Sequence, residues 1–123
     1  MKRIDYLYQL HAKYNKEDFG GKLMTIRMLI KRNTTTDGWY EYQTESRIKG
    51  KRGSLWLPKR DRLHNAHINI NQGCWKEGTV EGTMLHEMVH QYQAEVLDLP
   101  TSHDAIFCSI ARRLERKYGI YVR

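Results

Sequence analysis

The sequence is poor in cysteine and has no long apolar run. Its 123 residues include two cysteines, Cys74 and Cys108, which lie far apart and form no Cys-x-x-Cys pair, and this argues against a zinc ribbon or a redox motif. No apolar stretch approaches the roughly 20 residues that span a bilayer, and no signal peptide follows Met1. Internal repeats are missing as well. We therefore expect one soluble, cytoplasmic domain over residues 1–123, without a membrane partner and with a monomer favoured.

Negative charge is also in short supply. The chain has 21 lysines and arginines against 14 acidic residues, which gives a formal net charge of +7. This excess implies attraction to polyanions, and nucleic acid is the first candidate partner. The hydrophobic fraction of 40% and the charged fraction of 28% are ordinary for a folded globular chain.

Three segments have the composition or the two-residue period of β-strands. Residues 24–31 alternate apolar and polar side chains except at Leu29, and residues 39–44 are rich in aromatic residues and follow the turn-forming run 33–38. This order predicts a β-hairpin. Residues 67–71 alternate strictly, which predicts a third strand with Ile68 and Ile70 turned to the core.

Three further segments have the spacing of helices. An amphipathic helix is predicted over residues 3–14. A second helix is predicted from an N-cap at Thr79 to a stop before Pro100, since proline cannot continue a helix. A third is predicted to start from a cap at Ser102 and to end at Gly119, where a C-terminal cap belongs.

The second predicted helix carries the pattern His-Glu-x-x-His. His86 and His90 are four residues apart and so lie on one face of a helix, where both imidazoles can reach a single cation. Glu87 lies beside them and can accept a proton from a water on that metal, as in H-E-x-x-H metalloproteases. The alternative is that all three form the polar edge of an ordinary amphipathic helix.

A catalytic zinc usually takes three protein ligands and keeps one position for water. His103 follows the turn that reverses the chain after the motif helix, and this position and its softness favour it as the third ligand. Other donors remain open, because a carboxylate on a following helix is the other common solution. The rival acids are Asp98, Asp104 and Glu115.

Two clusters of basic residues are candidate contacts for nucleic acid. The first surrounds a tryptophan in a predicted loop, and the second lies on the exposed side of the last helix. They comprise Lys49, Lys51, Arg52, Trp56, Lys59 and Arg60 in the loop and Arg112, Arg113 and Arg116 on the helix. Each cluster has a structural alternative. The loop could be solvated with its tryptophan buried in the core, and the helix cations could complement the helix dipole.

Together these residues resemble the SprT-like zinc metalloproteases, of which the chain looks like a minimal, Spartan-type catalytic core. The similarity covers most of the sequence. It rests on the segments 19–23 (Phe-Gly-Gly-Lys-Leu), 37–40 (Asp-Gly-Trp-Tyr), 67–71 and 84–90, and on the downstream pair His103 and Phe107. The chain departs from the family in two ways: Ser102 and Asp104 flank His103 where glycines are common, and no zinc ribbon is present.

The resemblance implies an α+β fold of the zincin type, with an N-terminal helix, a small three-stranded antiparallel sheet, an active-site helix and a C-terminal helix. It implies a zinc metalloendopeptidase that acts on proteins bound or crosslinked to DNA. We expect one zinc ion on His86, His90 and His103, with Glu87 as the general base, and a peptide substrate added as a strand beside residues 67–71. The alternative function is a non-catalytic, basic nucleic-acid-binding module with a structural zinc or none.

Overall fold

The computed structural model describes residues 1–32, 35–44 and 63–122 of the chain. These residues form four helices and three strands, which confirms the predicted α+β class. In chain order they are α1 (Arg3–Asp18), β1 (Arg27–Lys31), β2 (Gly38–Thr44), β3 (Leu63–Asn71), α2 (Gly73–Glu77), α3 (Val80–Glu95) and α4 (Ala105–Tyr118). The short helix α2 is not among the three helices that the sequence predicts. No helix within the described ranges is long and apolar enough to cross a membrane.

The three strands form one mixed sheet in the order β1-β3-β2. The predicted antiparallel sheet is right for β2 and β3 and wrong for β1 and β3, which pair in parallel, with Met28 opposite Ile68. The predicted hairpin is also wrong, because β3 lies between β1 and β2. Ile68 and Ile70 of β3 are 0% exposed. A strand that is this deeply buried takes the middle of the sheet. Apolar alternation identifies a strand but does not choose its neighbours.

Helix α3 is the centre of the molecule and packs against α1, α4 and the sheet. Its Met84, Leu85 and Met88 are 0% exposed and form part of the hydrophobic core. The helix is enclosed on most sides, and Glu87 is 4% exposed. Thr79 precedes the helix as predicted, although its side chain makes no capping hydrogen bond.

A buried polar network joins α1 to the back of α3. His11 of α1 is 2% exposed, and its Nε2 lies 2.8 Å from Gln91 Oε1. Helical spacing places this residue on one face of α1 but indicates no further role for it. The Gln91 amide donates to Glu95 Oε2 at 2.7 Å and to the Met24 carbonyl at 2.8 Å. The Met24 N–H donates in turn to Glu95 Oε1 at 2.8 Å. The network satisfies polar groups that burial would otherwise leave unpaired.

Helix α4 begins after a turn that brings the chain back towards α3. Asp104 caps the helix, because its side chain accepts a hydrogen bond from the Phe107 N–H, so the predicted cap at Ser102 is wrong. Gly119 ends the helix with φ of 67°, the left-handed conformation that glycine adopts without strain, as predicted. The last described residues, 120–122, then return to the N-terminal half of α3.

Candidate active site

The two histidines of the motif lie one above the other on α3. His86 and His90 are four residues apart, and their ring centroids are separated by 5.0 Å. His86 is half-buried and His90 is 8% exposed. The helix therefore presents both imidazoles at the same side, as the four-residue spacing predicts.

His103 completes a cluster of three imidazoles. It lies on the turn between α3 and α4, and its Nε2 is 3.1 Å from His86 Nε2 and 3.2 Å from His90 Nε2. One ligand atom from each histidine lies within 4.8 Å of the others, so these residues could hold a metal ion. Three residues that the sequence places up to 17 positions apart thus converge on one point.

Hydrogen bonds on the opposite side of two imidazoles fix their orientation. His86 Nδ1 lies 2.8 Å from the Val122 carbonyl oxygen, and His90 Nδ1 lies 2.9 Å from Gln93 Oε1. Both partners are oxygen acceptors, so each Nδ1 carries the proton and donates. The lone pair of each imidazole is then on Nε2, the atom that faces the cluster.

Burial also keeps these imidazoles neutral. It lowers the pKa of His90 to about 4, against the raising effect of the Gln93 hydrogen bond, and the neighbouring His86 and His103 add to the lowering. Burial likewise lowers the pKa of His86, with the Val122 carbonyl opposing and His103 adding to the shift. Only a neutral imidazole has a lone pair for a metal, so both residues are in the ligating form at neutral pH.

One aromatic ring supports all three histidines. The Phe107 ring, 1% exposed on α4, has its centroid 4.8 Å from that of His86, 4.7 Å from His90 and 4.8 Å from His103. It stacks on His90 and meets the other two rings edge to face. This contact gives a physical reason for the four-residue spacing between His103 and Phe107.

Glu87 belongs to α3, and its side chain lies between this helix and strand β2. Burial raises the pKa of its carboxyl to about 8, although a hydrogen bond from the Tyr40 backbone N–H opposes the shift. Gly38 of β2 lies next to this carboxyl and is tightly packed, because a Cβ atom there would lie 2.6 Å from the Asn69 carbonyl oxygen, 2.9 Å from Thr83 Cγ2 and 3.5 Å from Glu87 Oε2. A cation beside a carboxyl lowers its pKa, so a metal on the nearby histidines would favour the ionised form.

The C-terminal residues reach the site because one position on α3 has no side chain. A Cβ atom on Gly82 would lie 2.1 Å from the Tyr121 carbonyl oxygen. The close approach of the chain to Gly82 places Val122 so that its carbonyl meets His86. The Val122 N–H is held as well, since it donates to Glu115 Oε2 at 2.9 Å.

A cavity of about 460 Å³ opens next to the cluster. Its walls include His86, Glu87 and His103, together with Gly38 of β2 and Tyr121 of the C-terminal segment. Tyr121 is 74% exposed and stands at the rim. The cavity gives a molecule in solvent direct access to the carboxyl of Glu87 and to two of the three imidazoles.

The rival acidic ligands have other places in the structure. Asp104 caps α4, and the hydrogen bond that it accepts from the Phe107 N–H is the main reason that its pKa is lowered. Glu115 holds the Val122 N–H, and Asp98 is exposed with φ of 54°. Among the described residues, the group that could hold a metal ion consists of the three histidines, as the sequence interpretation favoured.

The predicted nucleic-acid contacts fall into two sets. Lys49, Lys51, Arg52, Trp56, Lys59 and Arg60 lie outside the described residues. Arg112, Arg113 and Arg116 are exposed on α4. Arg112 and Arg116, together with Cys108, border a separate cavity. None of the three arginines lines the cavity beside the histidines.

Sequence reasoning missed the residues that orient the imidazoles. Gln93 is three positions after His90, a spacing at which side chains on a helix meet, and this was the one available signal. Nothing in the sequence indicated Val122, because the contact uses its backbone carbonyl. Nor did it indicate Tyr40, whose contact with Glu87 also comes from the backbone.

The fold and the cluster define an α+β domain with a three-histidine group that could hold a metal ion. The chain matches the model of the SprT-like family over residues 7–122, which is nearly its whole length. It therefore belongs to the SprT-like family, as the sequence resemblance indicated. A comparison with curated proteins finds no match.

Proposed function

We propose that this protein is a zinc-dependent endopeptidase, with zinc ligands His86, His90 and His103 and with Glu87 as the general base. The observation that carries the proposal is the convergence of three Nε2 atoms beside a buried carboxyl at the wall of an open cavity. Membership of the SprT-like family supports a metallopeptidase activity in general terms.

The donor set fits zinc. Ligands at Zn–N distances of about 2.0–2.1 Å in a tetrahedron lie about 3.3–3.4 Å apart, and two of the three Nε2 pairs are already close to that spacing. His103 Nε2 is already 3.1 Å and 3.2 Å from its two partners. Neutral imidazoles with Nδ1–H donors on the far side are a common arrangement for zinc ligands. Three protein ligands leave the fourth position for water or substrate.

The chemistry divides between the ion and the chain. Zinc, when bound, supplies a Lewis acid that lowers the pKa of water from about 15.7 towards about 7 and polarises the scissile carbonyl. The Glu87 carboxylate takes the proton of the attacking water and passes it to the leaving amine. The Tyr40 N–H holds that carboxylate on the cavity side of β2.

The edge of β2 is our proposed docking site for an extended substrate. The sequence interpretation placed the substrate beside residues 67–71, and this is wrong because β3 has neighbours on both sides. Among the described strands β2 is at the edge, and its Gly38 borders the cavity that contains Glu87. Main-chain hydrogen bonds to an added strand need no particular side chains, which suits a protease of broad specificity.

The alternative function is a non-catalytic module in which the zinc is structural. Structural zinc sites are normally closed by four protein ligands. The metal-ligand group found among the described residues has three members, and Cys74 is buried while making weak contacts with Asp37 and Thr83. The position of Glu87 beside the group therefore favours an enzyme.

Replacing Glu87 with glutamine tests the proposal. Glu87→Gln keeps the size of the side chain and removes the base, so it should retain one zinc per chain and lose about 10²–10⁴-fold in proteolysis of casein or histones. Exposed Glu77 on α2 offers a matched control, and Glu77→Gln should retain both zinc and activity. Undiminished cleavage by Glu87→Gln would reject the proposed mechanism. A wild type without zinc would reject the proposed site.

We propose further that the substrates are proteins bound to DNA. The net charge of +7 and the exposed arginines of α4 support this, since phosphate contacts come chiefly from lysine and arginine. Cleavage of a basic protein should be faster with single-stranded DNA at low salt, and the stimulation should fade as salt rises. Equal rates with and without DNA at low salt would reject this substrate class and leave the peptidase proposal intact.

A further inference from the structure

Gln93 is a buried amide near the end of α3, in contact with both sides of the metal-ligand cluster. Its side chain is 0% exposed. Its Oε1 accepts from His90 Nδ1 at 2.9 Å and from the Ser102 N–H at 3.2 Å. Its Nε2 donates to the Ser102 carbonyl at 3.0 Å and to Asp104 Oδ1 at 3.5 Å. One side chain thus touches a predicted ligand on α3 and the turn that carries another.

These four contacts use the full capacity of the amide. A glutamine side chain has two acceptor lone pairs on oxygen and two N–H donors, and here each has a partner. The Ser102 N–H can donate only to the amide oxygen of Gln93, and the Ser102 carbonyl can accept only from the amide nitrogen. These two contacts therefore determine which way the Gln93 amide is oriented. With the oxygen facing His90, the proton of that imidazole must be on Nδ1.

His103 needs such support because its own side chain is exposed and lies on a turn. The residues on both sides of it, Ser102 and Asp104, contact Gln93. Asp104 is fixed a second time, as the cap of α4. Gln93 therefore holds the backbone of Ser102 and the side chain of Asp104, the two neighbours of His103, while it orients the ring of His90.

We propose that Gln93 is a positioning residue that couples two zinc ligands: it fixes the tautomer of His90 and the place of His103 through one amide. The inference rests on the proposed zinc site but concerns metal affinity, which is measured without any protease assay. Partners that orient metal-bound histidines typically contribute about 10–100-fold to affinity or activity. Gln93 should lie at the upper end of that range, since its loss disturbs two of three ligands.

The same helix offers a matched control. Gln91 is also 0% exposed, and it also accepts from a histidine, but that histidine is His11 of α1. The other contacts of its amide are with Glu95 and Met24, on the side of α3 away from the cluster. Gln91→Leu and Gln93→Leu both remove a buried amide from α3, so both should lower stability, and only the second removes contacts with the ligands.

The experiment compares zinc affinities by chelator competition at a temperature where circular dichroism shows all variants to be folded. Gln93→Leu should bind zinc at least about tenfold more weakly than the wild type. Gln91→Leu should match the wild type. Equal affinities for Gln93→Leu and Gln91→Leu would overturn the inference and leave the proposed zinc site intact. A wild type that binds no zinc would overturn the proposed function itself.

Gln93→Glu separates the two roles of the amide. A carboxylate still accepts from His90 Nδ1–H, but it cannot donate to the Ser102 carbonyl, and it repels Asp104. Its zinc affinity should fall between those of the wild type and Gln93→Leu. In zinc-free protein, ¹⁵N NMR should find His90 protonated on Nδ1 in the wild type and in Gln93→Glu, and a mixture of tautomers in Gln93→Leu. An unchanged tautomer in Gln93→Leu would contradict the orienting role.

Discussion

Gly82 is a residue on which the approach of the C-terminal segment to α3 depends. A glycine inside a helix normally costs about 1 kcal/mol relative to alanine. Here it is needed, because any Cβ would overlap the Tyr121 carbonyl, which comes within 2.1 Å of that position. The next residue, Val122, sets the tautomer of His86 through its carbonyl oxygen. A missing side chain on α3 therefore controls the orientation of an imidazole on the same helix.

We predict that Gly82→Ala lowers the free energy of unfolding by about 1–3 kcal/mol, the usual cost of overpacking, although alanine favours a helix. It should also weaken zinc binding, because the displaced segment withdraws Val122 from His86. Urea denaturation and chelator competition measure the two effects.

The control for this prediction is Gly73→Ala in α2, where a Cβ would meet Asn71 Oδ1 at 3.6 Å, an ordinary contact. That variant should keep the wild-type stability within about 0.5 kcal/mol, as most surface substitutions do. A stabilising Gly82→Ala would mean that the C-terminal segment does not depend on this contact.

At the scale of elements, the C-terminal ends of α1 and α4 are joined chiefly through Asp18, with a longer contact of 3.2 Å between the Tyr118 hydroxyl and Glu17 Oε2. The side chain of Asp18 is 3% exposed and accepts from Lys117 Nζ at 2.7 Å and from the Tyr118 hydroxyl at 2.6 Å. The Tyr118 ring also packs edge to face on Tyr14 of α1, with centroids 5.3 Å apart. This junction holds the far end of α4, the helix whose other end supports His103 and Phe107.

We predict that Tyr118→Phe destabilises the fold by about 1–3 kcal/mol, the range for a lost hydrogen bond to a charged group, while it keeps the ring contact with Tyr14. Chemical denaturation measures the change. Tyr121→Phe is the control, because Tyr121 is 74% exposed, and its stability should stay within about 0.5 kcal/mol of the wild type. Equal stabilities for both variants would show that the hydrogen bond of the Tyr118 hydroxyl contributes nothing to the junction.

At the scale of the whole molecule, α3 is a central helix with two polar sides. One side carries the histidine cluster, and the other carries Gln91 and Glu95, which meet His11 and the segment before β1. Most of these side chains are buried, so their polar groups depend on hydrogen-bond partners within the protein. Burial lowers the pKa of His11, and the hydrogen bond to Gln91 opposes the shift.

This burial predicts a loss of stability in mild acid. The pKa of His11 in the folded chain lies below the ordinary value near 6.5, so between the two values the unfolded chain binds more protons. Stability is therefore full above about pH 6.5 and falls as the pH drops below it, by at most about 1.4 kcal/mol per pH unit for this one group.

His11→Gln can still donate to Gln91 Oε1 but cannot titrate. Between pH 7.5 and 5.5 it should lose less stability than the wild type in zinc-free urea titrations, with unchanged m-values. His86 and His90 contribute equally to both proteins, so the difference isolates His11. Identical pH dependence in the two proteins would contradict the assignment of a neutral buried His11.

The sequence alone determined the features that depend on local spacing. Helical periodicity gave α1, α3 and α4, alternation gave β3, and the four-residue interval put His86 and His90 on one face. Family resemblance and the turn after α3 indicated His103, which the structure brings to the other two imidazoles. Each of these inferences needs only the geometry of a single element or the reversal of the chain at one turn.

Only the tertiary structure decided which elements lie side by side and which atoms hold the site in place. The alternation of apolar residues does not specify strand partners, so the parallel pairing of β1 with β3 was not predicted. The contacts of Val122 and Tyr40 use backbone atoms, which are the same in every residue and leave no trace in sequence. Gln93 looks like any polar residue until folding buries it between α3 and the turn before α4.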